Sequence, residues 1–120
     1  MEKIERVGII GLGRMGRPMT RHLIEKGFAV TGFDVSDEAM AAAAALGARK
    51  AANPAEVAHQ SDLVIVVVGF DSEVEDAVLA PDGLLAGARE GTVIAISSTV
   101  APGTMKRLAA KVEGSGVAFL

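Results

Sequence analysis

Cysteine is absent from the sequence, which removes disulfides, thiolate nucleophiles and cysteine metal sites together and fits a reducing compartment. Histidine occurs only at His22 and His59. The first falls two turns along a predicted helix with no acidic partner and is expected in a packing or surface role, the second near a helix end is expected at the surface, and no metal site is expected. No lysine- or arginine-rich run accompanies the formal net charge of −3. The electrostatic footprint of a nucleic-acid binder is therefore missing, and neither DNA nor RNA is expected as a partner. The opening Met1 to Arg6 lacks the apolar stretch of a signal peptide, and the longest apolar run, Leu63 to Val68, is far too short to cross a bilayer. A cytoplasmic protein without membrane contact is the expectation.

What remains is a chain of 120 residues, half of them apolar and 14 of them glycine. One compact domain fits that length, and it would bury roughly two-thirds of the surface its unfolded chain exposes. Short apolar runs at Val7 to Ile10, Ala29 to Phe33, Leu63 to Val68, Val93 to Ile96 and Val117 to Phe119 read as strands. They are continuous rather than alternating, as expected for parallel strands covered on both faces. Ala48 to Lys50 is a further short candidate. Helical segments lie between the runs. Ser36 with Asp37 and Glu38 forms a capped helix start that Gly47 ends, and Asn53-Pro54-Ala55-Glu56 repeats the logic. Further helices are expected after Asp71 and after Pro102, while Ala41 to Ala45 is plain helix propensity. Alternating strands and helices predict an α/β fold, a Rossmann-type doubly wound parallel sheet of about six strands with helices on both faces.

One motif carries chemistry. Val7 to Ile10 runs straight into Gly11-Leu12-Gly13-Arg14-Met15-Gly16, a Gly-x-Gly-x-x-Gly turn that opens a helix. Gly11 permits the tight turn, Gly13 leaves room for a pyrophosphate and Gly16 lets the helix pack closely on the sheet. Free backbone N–H groups and the positive end of the helix dipole then face the phosphates. Pro18 removes the bond to Arg14 and predicts a helix that starts late or bends. Asp34 ends the second strand 18 residues beyond Gly16, where a carboxylate can accept both ribose hydroxyls of the adenosine. Its charge would repel the extra phosphate of NADP by about 1 kcal/mol in water and about 4 at an effective dielectric of 20, for charges roughly 4 Å apart. NAD is the expected cofactor. NADP stays open because Arg14 or Lys50 could reach its phosphate. Val67-Val68-Gly69-Phe70 is expected to bring backbone close to the ribose and phosphates, with Val68 and Gly69 as contacts.

Ile9 to Leu23 resembles the N-terminal signature of the 3-hydroxyisobutyrate dehydrogenase family, the β-hydroxyacid dehydrogenases. That signature reads Gly-Leu-Gly-x-Met-Gly-x-x-Met, then a small residue, any residue and asparagine. Gly11 to Gly16 and Met19 match, while Thr20 and His22 depart from it. Ser97-Ser98-Thr99-Val100-Ala101-Pro102 resembles the family's Ser-Thr-x-x-Pro turn, and the resemblance puts Ser98 and Thr99 at the substrate and nicotinamide edge. A residue-level alternative makes the pair a cap for the helix opened by Pro102. The resemblance implies hydride transfer between a nicotinamide cofactor and a small hydroxyacid, with a catalytic lysine on a later all-helical domain and a homo-oligomer at full length. Lys3, Lys26, Lys50, Lys106 and Lys111 match no such motif and are expected at the surface. Because Phe119-Leu120 closes on an apolar strand without a cap or polar tail, residues 1–120 are expected to be the dinucleotide-binding fragment of a longer enzyme. Two competing readings are a 6-phosphogluconate, imine or pyrroline-5-carboxylate type reductase and a non-catalytic nucleotide-binding module.

Overall fold

The computed structural model describes residues 4–120; Lys3 lies outside the described residues. Six strands form one sheet: β1 (Arg6–Ile10), β2 (Ala29–Phe33), β3 (Arg49–Lys50), β4 (Leu63–Val66), β5 (Val93–Ile96) and β6 (Ala118–Phe119). All pairings are parallel, in the order β3-β2-β1-β4-β5-β6. The helices are α1 (Gly16–Glu25), α2 (Asp37–Ala45), α3 (Pro54–His59), α4 (Asp71–Leu79), α5 (Leu84–Gly87) and α6 (Pro102–Val112).

Both faces of the sheet are covered. On one, Val7, Ile9 and Val30 pack with Ala39 and Ala43 of α2 and Leu23 and Ile24 of α1. On the other, Ile10, Val64, Val66 and Ile94 pack with Val57 of α3, Val74 and Val78 of α4, Leu84 of α5 and Leu108 of α6. Alternate side chains of one strand therefore enter two different cores, which is why the runs read as continuously apolar. The order of strand addition reverses between β1 and β4: β2 and β3 extend the sheet on one side, β5 and β6 on the other. Open α/β sheets bind ligands in the crevice outside the carboxyl ends of the strands at such a point.

Helix starts follow the sequence closely. Ser36 Oγ accepts the Ala39 N–H at 3.2 Å, and Asn53 Oδ1 accepts that of Glu56 at 2.9 Å. Three details differ from expectation. Helix α1 already begins at Gly16, so Pro18 falls in its first turn, where an N–H has no intrahelical partner to lose. The bonds from Arg17 N–H to Gly13 O (3.0 Å) and from Met19 N–H to Met15 O (3.3 Å) straddle it. Strand β4 stops at Val66 rather than Val68. The short helix α5 had no counterpart in the pattern; it packs on α3 so closely that a Cβ at Gly87 would strike the Ala55 carbonyl.

Candidate cofactor site

The glycine turn is shaped by two collisions that only glycine avoids. Gly11 has φ +99°, and a Cβ there would lie 2.5 Å from the Val67 carbonyl oxygen. A Cβ at Gly16 would run into the Gly11 carbonyl oxygen, so the turn and the first residue of α1 interlock. Gly13, by contrast, faces open space. No side chain caps α1 and no acid stands in its first turn, unlike α2 and α3, whose Ser36 and Asn53 fill that role. The start of α1 thus presents its N–H groups and dipole to a ligand on the cleft side.

Asp34 closes the other wall of the turn. Its Oδ2 accepts the Leu12 N–H at 2.8 Å, and its Oδ1 accepts the Ser36 N–H at 2.9 Å. These bonds fix the carboxylate beside the glycines at the end of β2. Leu12 itself points into the core beneath Gly32, so only its backbone belongs to the site.

A cleft of about 510 Å³ runs from this turn across the ends of β4 and β5. Gly11, Gly13, Arg14, Met15 and Asp34 line it with Val68, Gly69, Ser98 and Thr99, and Val67, Glu73 and Ser97 join them. Nine of the sequence-predicted site residues therefore share one cleft. Gly16 lies behind it, and Lys50 does not line it. Among the described residues, Arg14 is the one cation on its walls. A smaller chamber of about 130 Å³ opens beside Asp34, walled by Phe33, Val35, Pro54, Val68 and Ala77, with Glu73 and Asp76 of α4 also lining it. This apolar slot with an acidic lining was not anticipated, although positions 73, 76 and 77 share one helix face.

At the far end the expected hydroxyls divide their work. Ser98 Oγ accepts the Val68 N–H at 2.8 Å and donates to the Val66 carbonyl at 3.3 Å. Val67 N–H still reaches Ile10 O and Ser97 N–H still reaches Val66 O, but the next donor towards β5, the Val68 N–H, is taken by the Ser98 side chain in place of the β4–β5 ladder, which explains the early end of β4. Thr99 is exposed. Neither residue caps α6; Asp71, the first residue of α4, does so. Its Oδ2 accepts the Ala101 N–H at 3.1 Å and the Thr104 hydroxyl at 2.7 Å. The Thr104 hydroxyl, followed by the Ala101 N–H, holds the Asp71 carboxyl below its ordinary pKa.

Lys26, Lys50, Lys106 and Lys111, together with His22 and His59, are exposed. Among the described residues, no lysine lines the cleft, no group of three acidic, histidine or cysteine residues could hold a metal, and no helix is long and apolar enough to cross a membrane.

Residues 6–120 match the family profile described as the NAD binding domain of 6-phosphogluconate dehydrogenase. The chain is 39% identical over 112 residues to an uncharacterised oxidoreductase of Mycobacterium tuberculosis, covering 93% of this chain and 38% of that protein. It is 34% identical over 120 residues to the 2-(hydroxymethyl)glutarate dehydrogenase of Eubacterium barkeri, covering all of this chain and 40% of that one. Among solved structures, 3-hydroxyisobutyrate dehydrogenase of Mycobacterium tuberculosis with L-serine superposes with a TM-score of 0.88 at 29% identity, over 98% of this chain and 39% of the other. The chain thus spans about two-fifths of the length of the proteins it resembles.

Proposed function

The chain belongs to the NAD-binding domain family of 6-phosphogluconate dehydrogenase and its 3-hydroxyisobutyrate dehydrogenase relatives, and from that premise we propose that it is the cofactor-holding domain of a β-hydroxyacid dehydrogenase using NAD. One observation carries this reading. The Asp34 carboxylate is fastened to the Leu12 N–H at 2.8 Å, beside a helix start that no side chain caps. An acceptor for ribose hydroxyls and a set of N–H donors for phosphates therefore stand side by side.

In this reading the start of α1, with Arg14 beside it, holds the pyrophosphate. Asp34 takes the adenosine ribose, and the chamber beyond it takes the adenine between Val35 and Val68. Thr99 and the Ser98 backbone border the nicotinamide. Bound nicotinamide supplies a hydride acceptor at C4, and this chain's residues orient it and exclude water from one of its faces. The hydroxyacid, the acid/base group and homo-oligomer assembly belong to the whole protein, and the relatives' names support a small hydroxyacid as substrate.

Calorimetric titration with NAD and NADP tests the proposal. NAD should bind more tightly, and Asp34→Ala should weaken NAD by roughly ten- to a hundredfold, because hydrogen bonds to a charged group contribute about 1.5–3 kcal/mol. The same variant should erase the preference over NADP. Unchanged NAD affinity in Asp34→Ala would refute the ribose assignment.

A further inference from the structure

Asp71 opens α4, yet its carboxylate serves a different helix. The start of α4 has no side-chain cap, and Ala101, at the N-cap position of α6, has no side chain to supply one. A single oxygen of Asp71 accepts both the Ala101 N–H and the Thr104 hydroxyl, at 3.1 and 2.7 Å. Thr104 is buried, so the acceptor meets a donor with little competition from water. Helices α2 and α3 are capped by the residue that precedes each of them; α6 is capped from the first residue of α4, 30 positions before Ala101.

The consequence lies between the bonds. The loop after β5 is tied to the loop after β4 at two places, Ser98 to Val68 and Ala101 with Thr104 to Asp71. Exposed Thr99 stands between the two ties, so the segment that borders the far end of the cleft is held from both sides. Removing the Asp71 tie leaves the Ser98–Val68 bond as its remaining side-chain hydrogen bond to the segment between β4 and α4. On the outer side the pair Arg107–Glu75, at 2.7 Å, links α6 to α4 without reaching the cleft.

We propose that Asp71 is a positioning residue for the nicotinamide end of the cofactor, acting through the turn from Thr99 to Thr104. The proposal rests on the reading of the cleft given above. It distinguishes two parts of one ligand: the adenosine and pyrophosphate contacts lie at the glycine turn and do not depend on Asp71, whereas the contacts with the ring do.

NADH and ADP-ribose differ by the dihydronicotinamide ring and therefore separate the two parts. Titrating both into wild type, Asp71→Ala, Asp71→Asn and Thr104→Val is the test. Wild type should bind NADH more tightly than ADP-ribose. Asp71→Ala should weaken NADH by roughly five- to tenfold and leave ADP-ribose within about twofold, since one or two net hydrogen bonds are lost at the ring end only. Asp71→Asn should keep the wild-type ratio, because its one amide oxygen can accept both bonds. Thr104→Val keeps the buried volume and should repeat the selective loss even if Asp71→Ala fails to fold. Equal weakening of both ligands, or of neither, would overturn the proposal. So would a wild type that binds both equally. A wild type that binds neither would bring down the cofactor reading itself, and this inference with it.

Discussion

At the glycine-turn end of the cleft, the side-chain hydrogen bonds join residues 2 and 22 positions apart, Asp34 to Ser36 and to Leu12. At the far end they join residues 30 to 33 apart, Val68 to Ser98 and Asp71 to Ala101 and Thr104. The difference is one of role. Near the turn the backbone offers donors outward, from a helix start that no side chain caps. Around Ser98 the donors and acceptors are already engaged with one another and make a frame. One end is built to meet charge, while the other holds a surface still.

The sharpest way to break this comparison is Gly16→Ala. The added methyl group would strike the Gly11 carbonyl, and neither is free to move, because Gly11 is itself pressed against the Val67 carbonyl. The variant should lose about 3 kcal/mol of stability in denaturant titration and all measurable NAD binding, since overpacking between backbones cannot relax by a rotamer change. A stable Gly16→Ala protein that still binds NAD would show that the turn is not the rigid end.

The contrast also explains what the sequence could reveal. Gly11, Gly13, Gly16 and Asp34 were legible because a tight turn, a close backbone approach and a carboxylate at the end of β2 are local requirements with fixed spacing. The strands were legible because both faces of the sheet are buried. Asp71 was read only as a helix start, since nothing in the stretch of chain between positions 33 apart records that its carboxylate will meet Thr104. Ser98 was expected at the nicotinamide edge and lines the cleft, but its bond to the Val68 N–H depends on where β4 and β5 end relative to one another. Helix α5 escaped because four residues are too few to show a helical period.

Acid should act on the frame before it reaches the core. Asp62, just before β4 at the end of the strands opposite the cleft, provides the reference: the Arg6 guanidinium, with the Glu5 and Arg6 N–H groups, lowers its pKa from 3.8 to about 2. A carboxyl whose folded pKa is depressed contributes stability that is present above its unfolded value and lost as pH falls through the folded one. Stability should therefore decline between about pH 4 and pH 2. Asp62→Asn should remove about 1 kcal/mol of that dependence, allowing for solvent screening of a partly exposed pair. Asp71 is shifted in the same direction by Thr104 and Ala101, so Asp71→Asn should flatten the remaining slope. If the acid profile of Asp71→Asn matches wild type, the far end is not held by an ionised carboxylate.

The smallest expected effect is at Glu73, which lines both the main cleft and the chamber beside Asp34. Its side chain makes no hydrogen bond or ion pair among the described residues and is exposed. Its contribution to the frame should therefore be nil, and its influence on the cofactor should be a long-range field. An extra ribose phosphate beside Asp34 would feel both carboxylates, one close and one across the chamber. Glu73→Gln should leave stability and NAD affinity within error and raise NADP affinity about two- to threefold at low salt, a difference of about 0.5 kcal/mol. Because the charge is exposed, the gain should fade as the Debye length shortens to about 3 Å at 1 M salt, whereas the effect of Asp34→Ala on NAD should persist. Titrations at both salt concentrations decide the matter. A Glu73→Gln effect that survives high salt would mean a direct contact, and the chamber would then belong with the fixed end of the cleft.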